Sequence, residues 1–285
     1  MRRFLVVAAV FFLAAPALAE GPPLLPRNPT LGGSAVVFEL GGDLWSVPRE
    51  GGDARRLTAS PEPERNARFS PDGKWIAFTA IHDGGPDVFV MDARGGTPRR
   101  LTWGGGYFDD VVGWTRDGKA VLFCSDRRSG NGDLHLLTID LAGGLPEPIA
   151  LPAAFEGSFS PDGKRMAYLP HGRSQTAWKR YRGGQTTPIW IADLADGSIE
   201  KIPRDNSNDS APMWVGDRIY FLSDREGPVT LFSFDPATRA VKRELSASGF
   251  DIKAASAGPG GIVYEKFGEI RIFDPASGSD RRVPI

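Results

Sequence analysis

The side chains best suited to chemistry are few, and their spacing is poor for catalysis. The 285 residues include three histidines and one cysteine. His82, His135 and His171 show no metal-ligand spacing with Cys124 or a carboxylate, and no H-E-x-x-H or G-x-S-x-G segment occurs. His135 falls in an apolar run and is expected to pack; His82 and His171 are expected in solvated loops. Cys124 ends the run Val121-Leu122-Phe123-Cys124, with no histidine near in sequence. A nucleophilic thiol needs an activating base, so Cys124 is expected to be structural and buried. No catalytic residue is assigned. A Ser-His-Asp triad drawn from distant sequence is the hydrolytic arrangement left open.

Asp72, Asp117 and Asp162 recur in similar turns and invite a calcium reading. The stronger expectation is that each accepts N–H bonds within its own turn. No metal or other cofactor is expected. Two basic segments carry more weight. Trp178-Lys179-Arg180-Tyr181-Arg182-Gly183-Gly184 interleaves aromatic and basic residues, as a loop that contacts another domain or an anionic group would. Ser125-Asp126-Arg127-Arg128-Ser129-Gly130 is echoed by Ser223-Asp224-Arg225-Glu226-Gly227. One reading is a recurring loop whose Asp and Arg pair with neighbours. The sharper one is that Arg127 and Arg128 hold a carboxylate by charge-assisted hydrogen bonds.

These residues are positioned by a repeat. Ser70-Pro71-Asp72-Gly73, Thr115-Arg116-Asp117-Gly118 and Ser160-Pro161-Asp162-Gly163 start 45 residues apart, each followed by a short apolar run. Pro presets φ and Gly accepts positive φ, which suits a tight turn between antiparallel strands. Strand-turn units at this period are the mark of a β-propeller blade. Six such frames can be traced, the fourth with a long insertion between Leu169 and Ile189. The fold expected is all-β: a six-bladed β-propeller of four-stranded antiparallel blades, one domain over 25–285. Every blade is built from consecutive sequence, so the ring is expected to close by apolar packing and without an exchanged strand.

Composition bounds the setting. Arg2 and Arg3 precede an apolar stretch from Phe4 that closes on Ala17-Leu18-Ala19, the pattern of a secretory signal peptide over residues 1–19. The stretch is shorter than the roughly 20 residues that span a bilayer. A periplasmic or secreted protein is expected, with no membrane attachment after cleavage. The formal net charge of −1 argues against a nucleic-acid partner. A lone cysteine permits no internal disulfide.

The Pro-Asp-Gly-Lys, Gly-Gly and Arg-Arg-Leu-Thr elements resemble the PD40-type repeat of TolB-like bacterial propellers. A more specific set is Asp110-Val111-Val112-Gly113-Trp114, the Trp178 to Gly184 segment, Pro188-Ile189-Trp190-Ile191, and Met213-Trp214 to Arg225. With these the chain resembles the N-terminal six-bladed propeller of tricorn-like serine proteases over essentially the whole mature chain. In that family the propeller precedes a second propeller and the protease domains, and propellers act as channels or filters for peptides. The resemblance implies a non-catalytic module that gates or binds peptides and docks protease domains of the same or a companion chain. It implies that basic side chains anchor the peptide carboxylate, for which Arg127 and Arg128 are the best match. The family's catalytic positions lie beyond this sequence, so a fragment or split gene product is expected. The alternative is a stand-alone periplasmic TolB-like propeller that binds proteins.

Overall fold

The computed structural model describes residues 24–104, 106–172 and 179–285. The expected signal peptide and Trp178 lie outside the described residues. Among the described residues twenty-four strands form six four-stranded antiparallel sheets in sequence order. Blade one holds β1 (Arg27–Leu31), β2 (Ala35–Leu40), β3 (Asp43–Pro48) and β4 (Arg55–Arg56). Blade two holds β5 (Glu64–Phe69), β6 (Trp75–His82), β7 (Gly85–Asp92) and β8 (Arg99–Arg100). Blade three holds β9 (Asp109–Trp114), β10 (Ala120–Ser125), β11 (His135–Asp140) and β12 (Glu147–Pro148). Blade four holds β13 (Gly157–Phe159), β14 (Arg165–Tyr168), β15 (Trp190–Asp193) and β16 (Ile199–Lys201). Blade five holds β17 (Asp209–Val215), β18 (Arg218–Ser223), β19 (Thr230–Phe234) and β20 (Val241–Arg243). Blade six holds β21 (Ile252–Gly258), β22 (Gly261–Lys266), β23 (Glu269–Phe273) and β24 (Asp280–Val283). The first strands touch in turn, β1 to β5 to β9 to β13 to β17 to β21 and back to β1. That ring surrounds the propeller axis.

Apolar patterning explains the layers. Second strands carry runs such as Val36-Val37-Phe38, Ile76-Ala77-Phe78 and Ile219-Tyr220-Phe221-Leu222, all buried because each sheet is covered on both faces. The outermost β4, β8 and β12 have two residues each and face mostly solvent, which leaves little free edge. Among the described residues the core divides into six apolar clusters, one at each blade junction.

The recurring turns behave as their residues dictate. Gly73, Gly118 and Gly163 have φ of 71°, 70° and 72°, where a side chain would be strained. Asp72 accepts the Ser70 hydroxyl at 2.6 Å and the Lys74 N–H at 3.1 Å; Asp117 and Asp162 repeat this with Thr115 and Lys119, and with Ser160 and Lys164. The hydroxyl first, then the N–H, holds each carboxyl below the ordinary range. These aspartates serve their turns.

Ring closure also follows the register. β1 pairs with β2 and β24 with β23, so the segment before Leu31 is the first strand of blade one and not the outer strand of blade six. Leu31, Val36, Phe38 and Val47 pack on Val263, Ile270, Ile272 and Val283 across the gap. Polar links, absent from the sequence expectation, reinforce it. Ser256 Oγ donates to the Pro29 carbonyl at 2.9 Å, Arg49 donates to those of Pro259 (2.6 Å) and Gly260 (3.1 Å), and the Gly52 N–H donates to that of Pro284 (3.0 Å).

Cys124 lies at the junction of blades three and four with Leu122, Leu136, Met166 and Tyr168. Its Sγ is 3.8 Å from the Ala154 carbonyl. Burial pushes the thiol pKa well up, and Asp110, Glu156, Asp109 and Asp126 push it further. A disulfide reagent at pH 7 should label the native thiol at least about 100-fold more slowly than the denatured one. Similar rates would contradict this burial.

Candidate functional site

Both Ser-Asp-Arg loops are built alike. β10 ends at Ser125, paired with Asp109, the first residue of β9; β18 ends at Ser223, paired with Asp209, the first residue of β17. The arginine two positions on folds back over its strand. Arg127 ion-pairs with Asp109 and lies 5.5 Å over the Phe123 ring. Arg225 pairs with Asp209 at 3.1 Å and lies 5.0 Å over Phe221 and 5.1 Å over Phe232. Each Arg Nε also donates to the serine hydroxyl, at 3.2 and 3.0 Å. Asp109 and Asp209 are 1% and 0% exposed, and burial pushes both carboxyls up against the pull of these donors. The middle aspartate holds the incoming link. Asp126 accepts the Tyr107 and Phe108 N–H groups at 3.3 and 3.2 Å, and Asp224 accepts the Asn208 N–H and side-chain amide, each at 2.8 Å. Arg127 is thus engaged by a carboxylate of its own chain, whereas Arg128 beside it is exposed.

The Arg-Arg-Leu-Thr segments stitch the same face. Arg56 pairs with Asp43 at 2.7 Å and Arg100 with Asp87 at 2.5 Å. Their Nε groups donate to the Thr58 and Thr102 carbonyls, both at 2.8 Å, while those threonine hydroxyls accept the Leu44 and Val88 N–H groups.

A second set of charges faces the axis. Glu39 accepts the Asn66 N–H at 2.7 Å, Glu156 that of Ala211 at 2.8 Å, and Glu265 that of Asn28 at 3.2 Å. In each case the donor is a bulged first-strand residue of the next blade, with φ between 45° and 56°. Burial raises all three carboxyls. Arg68 of β5 donates to the Val112 carbonyl at 3.2 Å and interacts electrostatically with both Glu156 and Glu39. Arg65 bridges to Asp110 of blade three at 2.9 Å. These groups of both signs tie neighbouring blades together at their innermost strands. Among the described residues no group of three or more His, Cys, Asp or Glu side chains is placed to hold a metal.

With this geometry the comparison with known proteins is decisive. The family model for the tricorn protease N-terminal beta propeller domain matches residues 23–279. The chain belongs to this family. It is 34% identical over 263 residues to "Tricorn protease homolog 1" of Streptomyces coelicolor, covering 91% of this chain and 24% of that protein. The crystal structure of the tricorn protease superposes with a TM-score of 0.81 at 27% identity, over 92% of this chain and 26% of that one. The tricorn-type propeller therefore spans about a quarter of the length of these relatives. A TolB structure from Agrobacterium tumefaciens, at 19% identity and a TM-score of 0.58 over 92% of this chain and 81% of that one, shares the fold.

In this tricorn-type propeller the described part of the long fourth-blade loop, from Lys179 on, folds onto its own chain. Lys179 pairs with Asp251 at 3.0 Å; Arg182 pairs with Asp224 at 2.8 Å and also donates to its carbonyl at 3.0 Å. The Tyr181 carbonyl accepts the Asn208 side chain at 2.9 Å, and Arg180 is exposed with φ of 52°. His82 is the last residue of β6 and not a loop residue; it stays exposed, as does His171. His135 opens β11 and is half-buried. Sequence reading missed the axial acids, which carry no local motif. It also missed the link between Asp43 and Arg56 and between Asp87 and Arg100, although both pairs share a spacing of 13 residues that could have revealed it.

Proposed function

We propose that this chain is the non-catalytic peptide-handling module of an exported tricorn-type serine protease. Peptides bind in or pass along the axial channel, and protease domains of the same or a companion chain dock on one face of the ring. The observation that carries the reading is two groups of exposed aromatic side chains on that face. In an antiparallel blade the loops between second and third strands emerge beside the links from one blade to the next. Trp103, Tyr107 and Phe108 lie on one such link, Phe250 on another, and Phe267 on a second-to-third-strand hairpin. Phe250 and Phe267 stack at 3.8 Å. Exposed rings on the face that also carries the loops of Arg128 and Arg180 have the composition of a partner surface. The leader-like residues 2–19 support export to the periplasm or medium.

Within this reading Arg128 takes the peptide carboxylate, and Arg127, held by Asp109, fixes the loop that presents it. The purified chain should cleave no fluorogenic peptide, since binding charge alone activates no nucleophile. It should bind short peptides with free C-termini, less well at high salt. Arg128→Ala should weaken that binding about tenfold, the loss of one charge-assisted hydrogen bond. Equal affinity for free and amidated peptides in calorimetry would contradict the assignment, and intrinsic turnover would contradict the non-catalytic role.

A further inference from the structure

Three inner strands open on a buried acid: Glu64 in β5, Asp109 in β9 and Asp209 in β17. The residues paired with them are Ala80, Ser125 and Ser223. Two positions on stand His82, Arg127 and Arg225. In the last two cases the guanidinium covers the acid and rests on a phenylalanine. His82 keeps only half of that arrangement. Its ring stacks on Phe89 at 6.1 Å and 4°, as Arg225 lies over Phe232. Phe78 with Phe89 and Phe221 with Phe232 are the corresponding cross-strand pairs. Its Nδ1, however, turns outward to Asp83 at 3.3 Å, so no cation from this position reaches the acid.

The consequence is a charge left open. Glu64 is 5% exposed; Thr58 hydrogen-bonds its carboxylate and Arg56, which is paired with Asp43, also attracts it, yet Oε2 has no hydrogen-bond partner among the described residues. Asp43, 8% exposed, gives Oδ2 to Arg56 and keeps Oδ1 unpartnered. An unpaired buried carboxylate is costly. Beside it lies a cavity of about 380 Å³ whose walls include Leu57, Thr58, Glu64, Phe78, Ile81 and Phe89. The acid and the aromatic wall occupy the places of those that Arg127 and Arg225 cover in their own junctions, but here a cavity lies in front.

We infer that the junction of blades one and two is a binding site for a guanidinium on an aliphatic stem, the side chain of a peptidyl arginine. The planar guanidinium offers a fork of N–H donors to Glu64 Oε2, its face lies against Phe89, and its methylenes lie along Leu57 and Ile81. The site is separate from Arg128 and does not depend on the peptide-carboxylate reading.

N-acetyl-arginine amide, which has no charged terminus, is the probe, and N-acetyl-citrulline amide is its neutral isostere. In an NMR titration of the full chain the arginine probe should bind saturably and shift the Ala80 and His82 resonances. The citrulline compound should bind at least about tenfold more weakly, and Glu64→Gln should weaken the arginine probe to the same degree. His82→Arg should place the chain's own guanidinium on Glu64, abolish probe binding and raise the Tm by about 3 °C. Absence of saturable binding, equal affinity for the two amides, or a His82→Arg chain that binds the probe like the wild type would overturn the site.

Discussion

Arg225→Ala lowers the unfolding free energy by about 3–5 kcal/mol in urea denaturation, because it strands a buried carboxylate. Asp209 is 0% exposed, and Arg225 is the cation paired with it. The Ser207 and Ser223 hydroxyls that also hydrogen-bond Asp209, at 3.0 and 2.6 Å, carry no charge to replace it. The same truncation removes the guanidinium from over Phe221 and Phe232. The double variant Arg225→Ala with Asp209→Asn should recover much of the loss, since the stranded charge goes with it. Arg128→Ala, at an exposed position, should stay within about 0.5 kcal/mol of wild type. A loss under about 1 kcal/mol for Arg225→Ala would mean that the pair does not hold the loop.

Phe38→Ala is expected to cost about 3–5 kcal/mol and to act on ring closure. Phe38 is 0% exposed and sits where blades one and six meet, with Val263, Ile270 and Ile272. Among the described residues no strand is shared across that gap, so burial of apolar surface carries a share of closure that a sheet ladder would otherwise carry. Gly258→Ala probes the same seam from the other side. A Cβ there would lie 2.1 Å from the Leu31 carbonyl oxygen, so the two blades must move apart. Both variants should raise hydrogen exchange in β1 and β21 before other blades respond. Uniform exchange through all six blades would show that the seam is no weaker than the other junctions.

The blade count, the turns and the order of strands were legible because each rests on residues close together in sequence. Gly73, Gly118 and Gly163 mark their turns by φ alone, and the aspartates beside them bond within two residues. Runs such as Ile76-Ala77-Phe78 declare a strand covered on both faces wherever they occur. Family membership followed from motifs spread over the same frame, and the family model bears it out. The use of each charge was another matter. Arg127 and Arg128 are adjacent in sequence and alike in chemistry, yet one covers Asp109, 18 residues away, and the other faces solvent.

By itself, then, the sequence determined a ring of six consecutive blades, because backbone preference and apolar alternation act over a few residues. Tertiary structure alone decided which ionisable groups are paired, which face the axis and which are left open. Glu265 meets Asn28 across 237 residues, through a contact that exists only once the ring is closed. His82 shows the point most sharply. Its place in the frame matches Arg127 and Arg225, but only the folded junction reveals that Glu64 is left without their guanidinium. Electrostatic pairing depends on distance and burial in space, and neither is written in the local pattern that sets the strands.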